Sequence, residues 1–365
     1  MSGLRLLLIT DAVGGVWTYS LELARALQPF GVETVLAVSG PSPSDEQREA
    51  ATGIELIDTG LALEWLDTNA AAIRRAGDAL AALARREGAD IVQTSSAALL
   101  GGTDFDCATV AVQHSCVATW WSAVKRTSLP ADFEWRRDLV ATGLGRADAV
   151  IAPTRAFAAA TERTYDLEAP VLAVHNGRTR RHLPSLPQGQ FVLTAGRLWD
   201  QGKNVQTLDQ AAARIGVPFQ AAGPVRGPHG ASVSLEQLTL LGPLSESRLG
   251  GLLAARPVFA SAALYEPFGL TALEAAQAGC ALVLSDIDTH RELWDGAAIF
   301  VDASDAAGFA EAIDHLLDDP AQRHRLGERA RTAARRYTPE RMASAMVQVC
   351  ARVAAPQAQL IAGAA

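Results

Sequence analysis

The chain is poor in everything that would staple it, anchor it in a bilayer or bind it to a phosphate backbone. It holds four cysteines in 365 residues. Cys107, Cys116, Cys280 and Cys350 show neither CxxC spacing nor a neighbouring His cluster, which excludes a disulfide framework and a zinc site and suits core thiols in a reducing compartment. There is no run of about 18 uncharged apolar residues, so nothing reads as a membrane span. The apolar stretch from Leu4 to Ile9 is too short for a signal sequence and meets Asp11 at once; it reads as a first strand. Cationic surplus is lacking too: 32 Lys and Arg face 40 Asp and Glu, a net charge of -8. That excludes nucleic acid as the expected partner and requires any anionic ligand to be held by a local basic site. Gly14-Gly15 lacks the rest of a Gly-x-Gly-x-x-Gly dinucleotide fingerprint, and neither a Ser-His-Asp order nor a Gly-x-Ser-x-Gly elbow occurs.

What is present is an ordinary globular balance, 49% hydrophobic and 20% charged, in a chain long enough for two domains. Short apolar runs alternate with longer Ala- and Leu-rich segments, the pattern of parallel strands joined by helices, so the class is α/β. The first series begins with a strand from Leu4 to Thr10, a turn at Gly14 and Gly15, and a helix whose Leu21, Ala24 and Leu27 share one face before Gly31 ends it. Strands follow at Val32 to Val38, Ile54 to Ile57, Ile91 to Thr94, Thr109 to Gln113, Ala149 to Ala152 and Val171 to Val174. The basic, proline-bearing stretch from Arg178 to Gly189 suits an interdomain linker. A second series then runs through strands at Phe191 to Ala195, Phe219 to Ala222, Leu238 to Leu241, Val258 to Ser261, Ala281 to Leu284 and Ala298 to Val301. Asp305 to Leu317 and Pro320 to Arg336 read as surface helices, the latter rich in Arg, and a last helix starts near Glu340.

Two segments carry chemistry. In Tyr265-Glu266-Pro267-Phe268-Gly269-Leu270-Thr271-Ala272-Leu273-Glu274, one carboxylate precedes a helix, a glycine marks the turn, and a second carboxylate lies in the early turns. The N–H groups at such a helix start form an anion site that Gly269 lets a phosphate approach. Carboxylates beside a phosphate repel it unless they face donors such as sugar and ribose hydroxyls. An acid-capped helix with no ligand is the competing reading, and the segment alone leaves both open. In Gly196-Arg197-Leu198-Trp199-Asp200-Gln201-Gly202-Lys203, a loop leaves the first strand of the second series, where open α/β sheets place ligands. Arg197 as a fork and Lys203 as a point charge suit a diphosphate and would stabilise it as a leaving group without a metal.

Together these segments resemble the retaining GT-B glycosyltransferases of family 4, which include sucrose synthases, sucrose-phosphate synthases and bacterial mannosyl- and glucosyltransferases. Glu266 and Glu274 match the family's Glu-x7-Glu, and Gly196, Arg197 and Lys203 its Gly-Arg with a Lys six residues after the Arg. Asp11 to Leu27 resembles its Gly-Gly loop and helix, Asn176-Gly177 its Pro-Asn-Gly segment, and Leu241-Gly242-Pro243-Leu244 its base-contacting loop. The resemblance covers nearly the whole chain, most closely from Phe191 to Ala312. It implies a GT-B fold, two Rossmann-like doubly wound domains facing each other across a cleft. The expected first, acceptor-side domain is 1–183, joined by the returning helix at about 340–365; the second, nucleotide-sugar domain is 184–339.

The implied function is metal-independent, retaining transfer of a hexosyl unit from a nucleoside-diphosphate sugar to a hydroxyl acceptor, with no cofactor. By the resemblance, Glu274 holds the ribose hydroxyls, Glu266 the donor sugar, and Arg197 and Lys203 the diphosphate. The backbone of Phe268, Gly269, Leu270 and Thr271 meets sugar and phosphate, and Leu244 and Ser245 meet the base through backbone. Gly14 and Gly15 let a loop approach donor and acceptor, Asn176 lies among the substrate contacts, and His114 touches sugar or acceptor. His114 is followed by Ser115 and Cys116 where relatives carry Asp, Gly or Asn, and His175 replaces the Pro before Asn-Gly; both departures bear on the acceptor. The readings left beside it are a non-hydrolysing nucleotide-sugar epimerase and a non-catalytic sugar-nucleotide binder.

Asp104-Phe105-Asp106 and Asp286-Ile287-Asp288 have the DxD shape of metal-dependent glycosyltransferases, but short tripeptides of this kind arise by chance and read as loop acids. Trp120, Trp121, Lys125, Arg126, Trp135, Arg136 and Arg137 form an aromatic, basic stretch that would stack an acceptor sugar, lie on an anionic membrane, or pack a helix on the sheet. The expected location is the cytoplasm, with peripheral contact at the inner face of the membrane left open.

Overall fold

The computed structural model describes residues 3–67, 69–184, 186–228 and 230–363, with side chains as far as 354. The chain divides into two compact units, Met1–Gly177 with Pro339–Ala365, and Arg178–Thr338.

The first unit runs β1 (Leu4–Asp11), α1 (Gly15–Leu27), β2 (Val32–Ser39), α2 (Asp45–Ala50), β3 (Glu55–Asp58), α3 (Ala70–Arg86), β4 (Ile91–Thr94), β5 (Ala108–Val112), α4 (Val117–Val124), α5 (Ala131–Arg146), β6 (Ala149–Ala152), α6 (Arg155–Tyr165) and β7 (Leu172–Ala173). Its strands form a seven-stranded parallel sheet in the order β3-β2-β1-β4-β5-β6-β7. Helices cover both faces of such a sheet, which is why Leu6, Leu7, Leu8 and Ile9 are all buried although successive side chains point opposite ways. A 3-10 turn at Gln28–Phe30 follows α1, and Gly31 closes it in the left-handed region at φ 73°.

The second unit runs β8 (Val192–Ala195), α7 (Val205–Ala212), β9 (Phe219–Ala222), β10 (Thr239–Gly242), α8 (Glu246–Ala254), β11 (Val258–Ser261), α9 (Leu270–Ala278), β12 (Ala281–Ser285), α10 (Asp288–Trp294), β13 (Ala298–Val301), α11 (Ala306–Asp318) and α12 (Pro320–Ala334). Its parallel sheet has the order β10-β9-β8-β11-β12-β13, the arrangement of a doubly wound fold.

Helix α13 (Pro339–Gly363) belongs to the first unit. Met342, Ala343, Met346, Val349, Cys350 and Val353, spaced three and four apart, join the core formed by β1, α1, β2 and β5.

Helices α11 and α12, expected as surface helices, each turn one face to solvent and the other inward. Phe309, Ile313 and Leu316 of α11 are core residues, and Arg323 of α12 is fully buried. Its Nη2 donates to the carbonyls of Gly189 at 2.5 Å and Arg256 at 2.6 Å, which closes two chain bends. Desolvation holds its pKa down at about 10. At the start of the stretch read as a linker, where the two units divide, Arg178 is buried and ion-paired.

Candidate functional site

In each sheet the strand order reverses once, between β1 and β4 and between β8 and β11. Crevices for ligands open at the carboxyl ends of strands on either side of such a reversal. In the second unit the segments leaving β8 and β11 are the two that the sequence singles out.

They are tied together by backbone. Leu264 and Tyr265 donate their N–H groups to the carbonyl of Gly202, at 2.8 and 3.2 Å. Asn204, left-handed at φ 49°, donates its side-chain amide to the carbonyls of Ala262 at 3.0 Å and Ala303 at 2.7 Å. Asp200 accepts from the Gly202 N–H at 2.8 Å and caps the 3-10 turn that carries Lys203. The result is that Lys203 Nζ donates to Glu266 Oε2, both side chains being mostly shielded from water. Arg197 donates to Asp200 Oδ2 at 3.2 Å and lies 5.7 Å from the Trp199 ring.

Glu266 therefore meets Lys203, and α9 begins instead at Gly269, left-handed at φ 85°, with no acidic residue in its first turn among the described residues. The acid-capped helix is set aside: no side chain caps the N–H groups of the first turn of α9. The Phe268 ring is buried edge-on against Tyr337 at 5.7 Å, so only its backbone is available. Ser245 Oγ accepts from the Arg248 N–H at 3.4 Å and caps α8, which likewise leaves backbone at Leu244 and Ser245.

Three residues of this unit escaped the sequence reading. Gly223, at the end of β9, has φ 142°, and a Cβ there would lie 1.8 Å from the Gly196 carbonyl oxygen. His290 is fully buried, its Nδ1 3.0 Å from the Ser285 carbonyl oxygen. Burial lowers its pKa, against the opposing pull of Glu266. The third is Arg178, whose Nε donates to Glu274 Oε1 and Nη2 to Glu246 Oε1, each at 2.7 Å. Only the Ala-Ala-Gly-Pro after a strand could have signalled Gly223; the other two depend on distant partners.

In the first unit, Gly14, at φ 75°, precedes α1, and the Val13 N–H is held by Asp11 Oδ1 at 2.7 Å. His114 follows β5 and meets Tyr19 edge-on, ring centroids 4.3 Å apart. The residue is half-buried, but its Nε2 is shut off from solvent and has no hydrogen-bond partner among the described residues. Burial pushes its pKa down to about 4. Asn176 is buried, and its Oδ1 also lacks a partner among the described residues.

The acids and aromatics outside these sites have local roles. Asp286 takes a two-pronged bond from Arg291 at 2.6 and 2.7 Å, and Asp104 and Asp106 pair with Arg146 and Arg85. Arg136 is not part of a basic surface: it is buried, donates to the carbonyls of Glu64 and Asp67, and lies 4.5 Å from the Trp135 ring. No helix among the described residues is long and apolar enough to cross a membrane.

Known proteins extend this picture. A family profile described as Glycosyltransferase Family 4 matches residues 13–179, and one described as Glycosyl transferases group 1 matches residues 231–333. A glycogen synthase of Mycobacterium tuberculosis is 39% identical over 108 residues, 29% of this chain and 25% of that protein. A D-inositol 3-phosphate glycosyltransferase of an Arthrobacter strain is 30% identical over 185 residues, 46% of this chain and 44% of that protein. The chain thus aligns with between a quarter and a half of the length of these curated relatives. Among solved structures, the sucrose-phosphate synthase of Thermosynechococcus elongatus superposes with a TM-score of 0.76 at 20% identity, covering 99% of this chain and 100% of that one. Anabaena HepE in complex with UDP-glucose gives 0.74 at 15% identity, covering 95% and 99%. Both likenesses show the fold. With its two doubly wound units and its matches to both profiles, the chain belongs to glycosyltransferase family 4 and has the GT-B fold.

Proposed function

We propose that the protein transfers a hexosyl unit from a nucleoside-diphosphate sugar to a hydroxyl acceptor, with retention at the anomeric carbon and without an obligate metal. The observation that carries this is the meeting of Lys203, Glu266 and the Gly269-led start of α9 beside the strand-order reversal of the second unit.

The chemistry follows from charge. As the glycosidic bond breaks, negative charge grows on the departing diphosphate. Lys203, Arg197 and the first N–H groups of α9 are fixed where they stabilise that charge. Before the donor arrives, Glu266 neutralises Lys203. When the phosphate takes over Lys203, Glu266 is released to accept hydrogen bonds from sugar hydroxyls, so neither buried charge is left without a hydrogen-bond partner. Glu274 takes the ribose hydroxyls, and the backbone at Leu244 and Ser245 takes the base. A leaving phosphate oxygen removes the acceptor proton on the same face of the sugar. The proposal gives His114, Asn176 and the Gly14-Gly15 turn to acceptor and sugar. Relatives named as glycogen and sucrose-phosphate synthases, and a structural neighbour holding UDP-glucose, support a hexosyl nucleotide as donor.

The test is nucleotide release and product anomer analysis with uridine, guanosine and adenosine diphosphate hexoses and an acceptor extract. Lys203→Ala and Glu274→Ala should each lower kcat/KM by on the order of 100-fold while melting within a few degrees of the parent. Normal transfer by Lys203→Ala, or conversion of the donor sugar in the absence of any acceptor, would overturn the proposal.

A further inference from the structure

Glu274 does not stand alone in the second unit. Arg178 Nε donates to Glu274 Oε1 at 2.7 Å and Arg181 Nη2 lies 3.9 Å from the same oxygen, while Oε2 has no partner among the described residues. The Arg178 guanidinium is itself fixed: Nη2 donates to Glu246 Oε1 at 2.7 Å, and its side chain is 9% exposed. Arg181 Nη2 also meets Glu246 Oε2, at 2.5 Å. The Arg178 backbone is held at both ends, its N–H by the Tyr337 carbonyl at 3.2 Å and its carbonyl by Gln277 Nε2 at 2.8 Å. Gln277 lies three residues after Glu274 on α9, hence on the same face of that helix. One arginine is thus bolted to the start of α8 and to the middle and end of α9, and grips one oxygen of a carboxylate whose other oxygen stays open.

A glutamate has several rotatable bonds, and freezing them on a ligand costs entropy. A guanidinium that bonds one oxygen through a planar N–H fixes the carboxylate beforehand. We propose that Arg178 is a positioning residue: it pre-sets Glu274 so that Oε2 receives the ribose hydroxyls of the nucleotide, with Glu246 as the anchor that keeps Arg178 in place. This rests on the reading of Glu274 as the ribose ligand.

The experiment measures affinity for two probes by calorimetry. One is whichever of ADP, UDP and GDP gives the largest thermal shift with the full chain, and the other is its 2′-deoxy counterpart. The parent protein should prefer the ribonucleotide by roughly tenfold, the worth of one hydrogen bond to a charged group, and Glu274→Ala should abolish the preference. Arg178→Met should shrink the preference to about twofold or less, with Arg178→Lys intermediate, because lysine replaces the fork with a point charge. A preference that is unchanged or larger in Arg178→Met, with both affinities falling together, would overturn the proposal and leave Arg178 a structural residue. If Arg178→Met fails to fold, Arg178→Lys decides: a preference equal to the parent's overturns the proposal, a reduced one supports it. A parent protein without any preference for the ribonucleotide would instead remove the ribose reading of Glu274, and this inference with it.

Discussion

Burial settles the protonation state of His114. With its pKa down at about 4, the imidazole is neutral in the folded protein, whereas in the unfolded chain it returns to the ordinary value near 6.5. The unfolded state therefore binds the extra proton between these two values. The stability that the neutral ring contributes is complete above about pH 6.5 and is lost as pH falls toward 4, by up to about 1.4 kcal/mol per pH unit. His290, fully buried and shifted the same way, adds to the loss. Urea unfolding between pH 4 and 7 should show this slope, and His114→Gln should flatten it relative to the parent. What the sequence disclosed at this scale was chemistry that depends on near neighbours. Lys203 and Glu266 could be named from their motifs, and the structure adds that they are paired. Arg178 could not be named, because its partners lie 68 and 96 residues away and charge in a proline-bearing stretch looks solvated.

Among the elements, the loops after β8, β9 and β11 carry the proposed site, and one glycine sets how closely the first two approach. Gly223→Ala places a methyl against the Gly196 carbonyl in a backbone region that alanine rarely enters. It should destabilise the second unit by about 1–3 kcal/mol and weaken nucleoside diphosphate binding, both readable in a ligand-dependent melting assay. Gly251, in α8 with open space around its α-carbon, is the contrast: Gly251→Ala should raise stability by about 0.5–1 kcal/mol and leave binding alone. Most strands were legible because runs such as Leu6 to Ile9 and Ala281 to Leu284 are short, apolar and bounded by turn residues. The helices α11 and α12 were legible as surface elements, but their charges hide the inward positions Ile313, Leu316 and Arg323. An arginine buried to bond two carbonyls leaves no periodic mark.

At the scale of the molecule each unit buries hydrophobic core of its own, and each should answer for its own mutations. Met346→Ala in α13 empties space in the first, and Ile313→Ala in α11 does so in the second, each at about 2–5 kcal/mol. Calorimetry should find that nucleoside diphosphate protects the transition that Ile313→Ala lowers, and does not protect the one that Met346→Ala lowers. The order of synthesis adds a consequence. The second unit is one unbroken stretch, Arg178–Thr338, while the first waits for α13 to supply Met342, Met346 and Val349. On the ribosome, the half made first is therefore finished last: its sheet emerges early with one flank bare, and the later half can mature ahead of it.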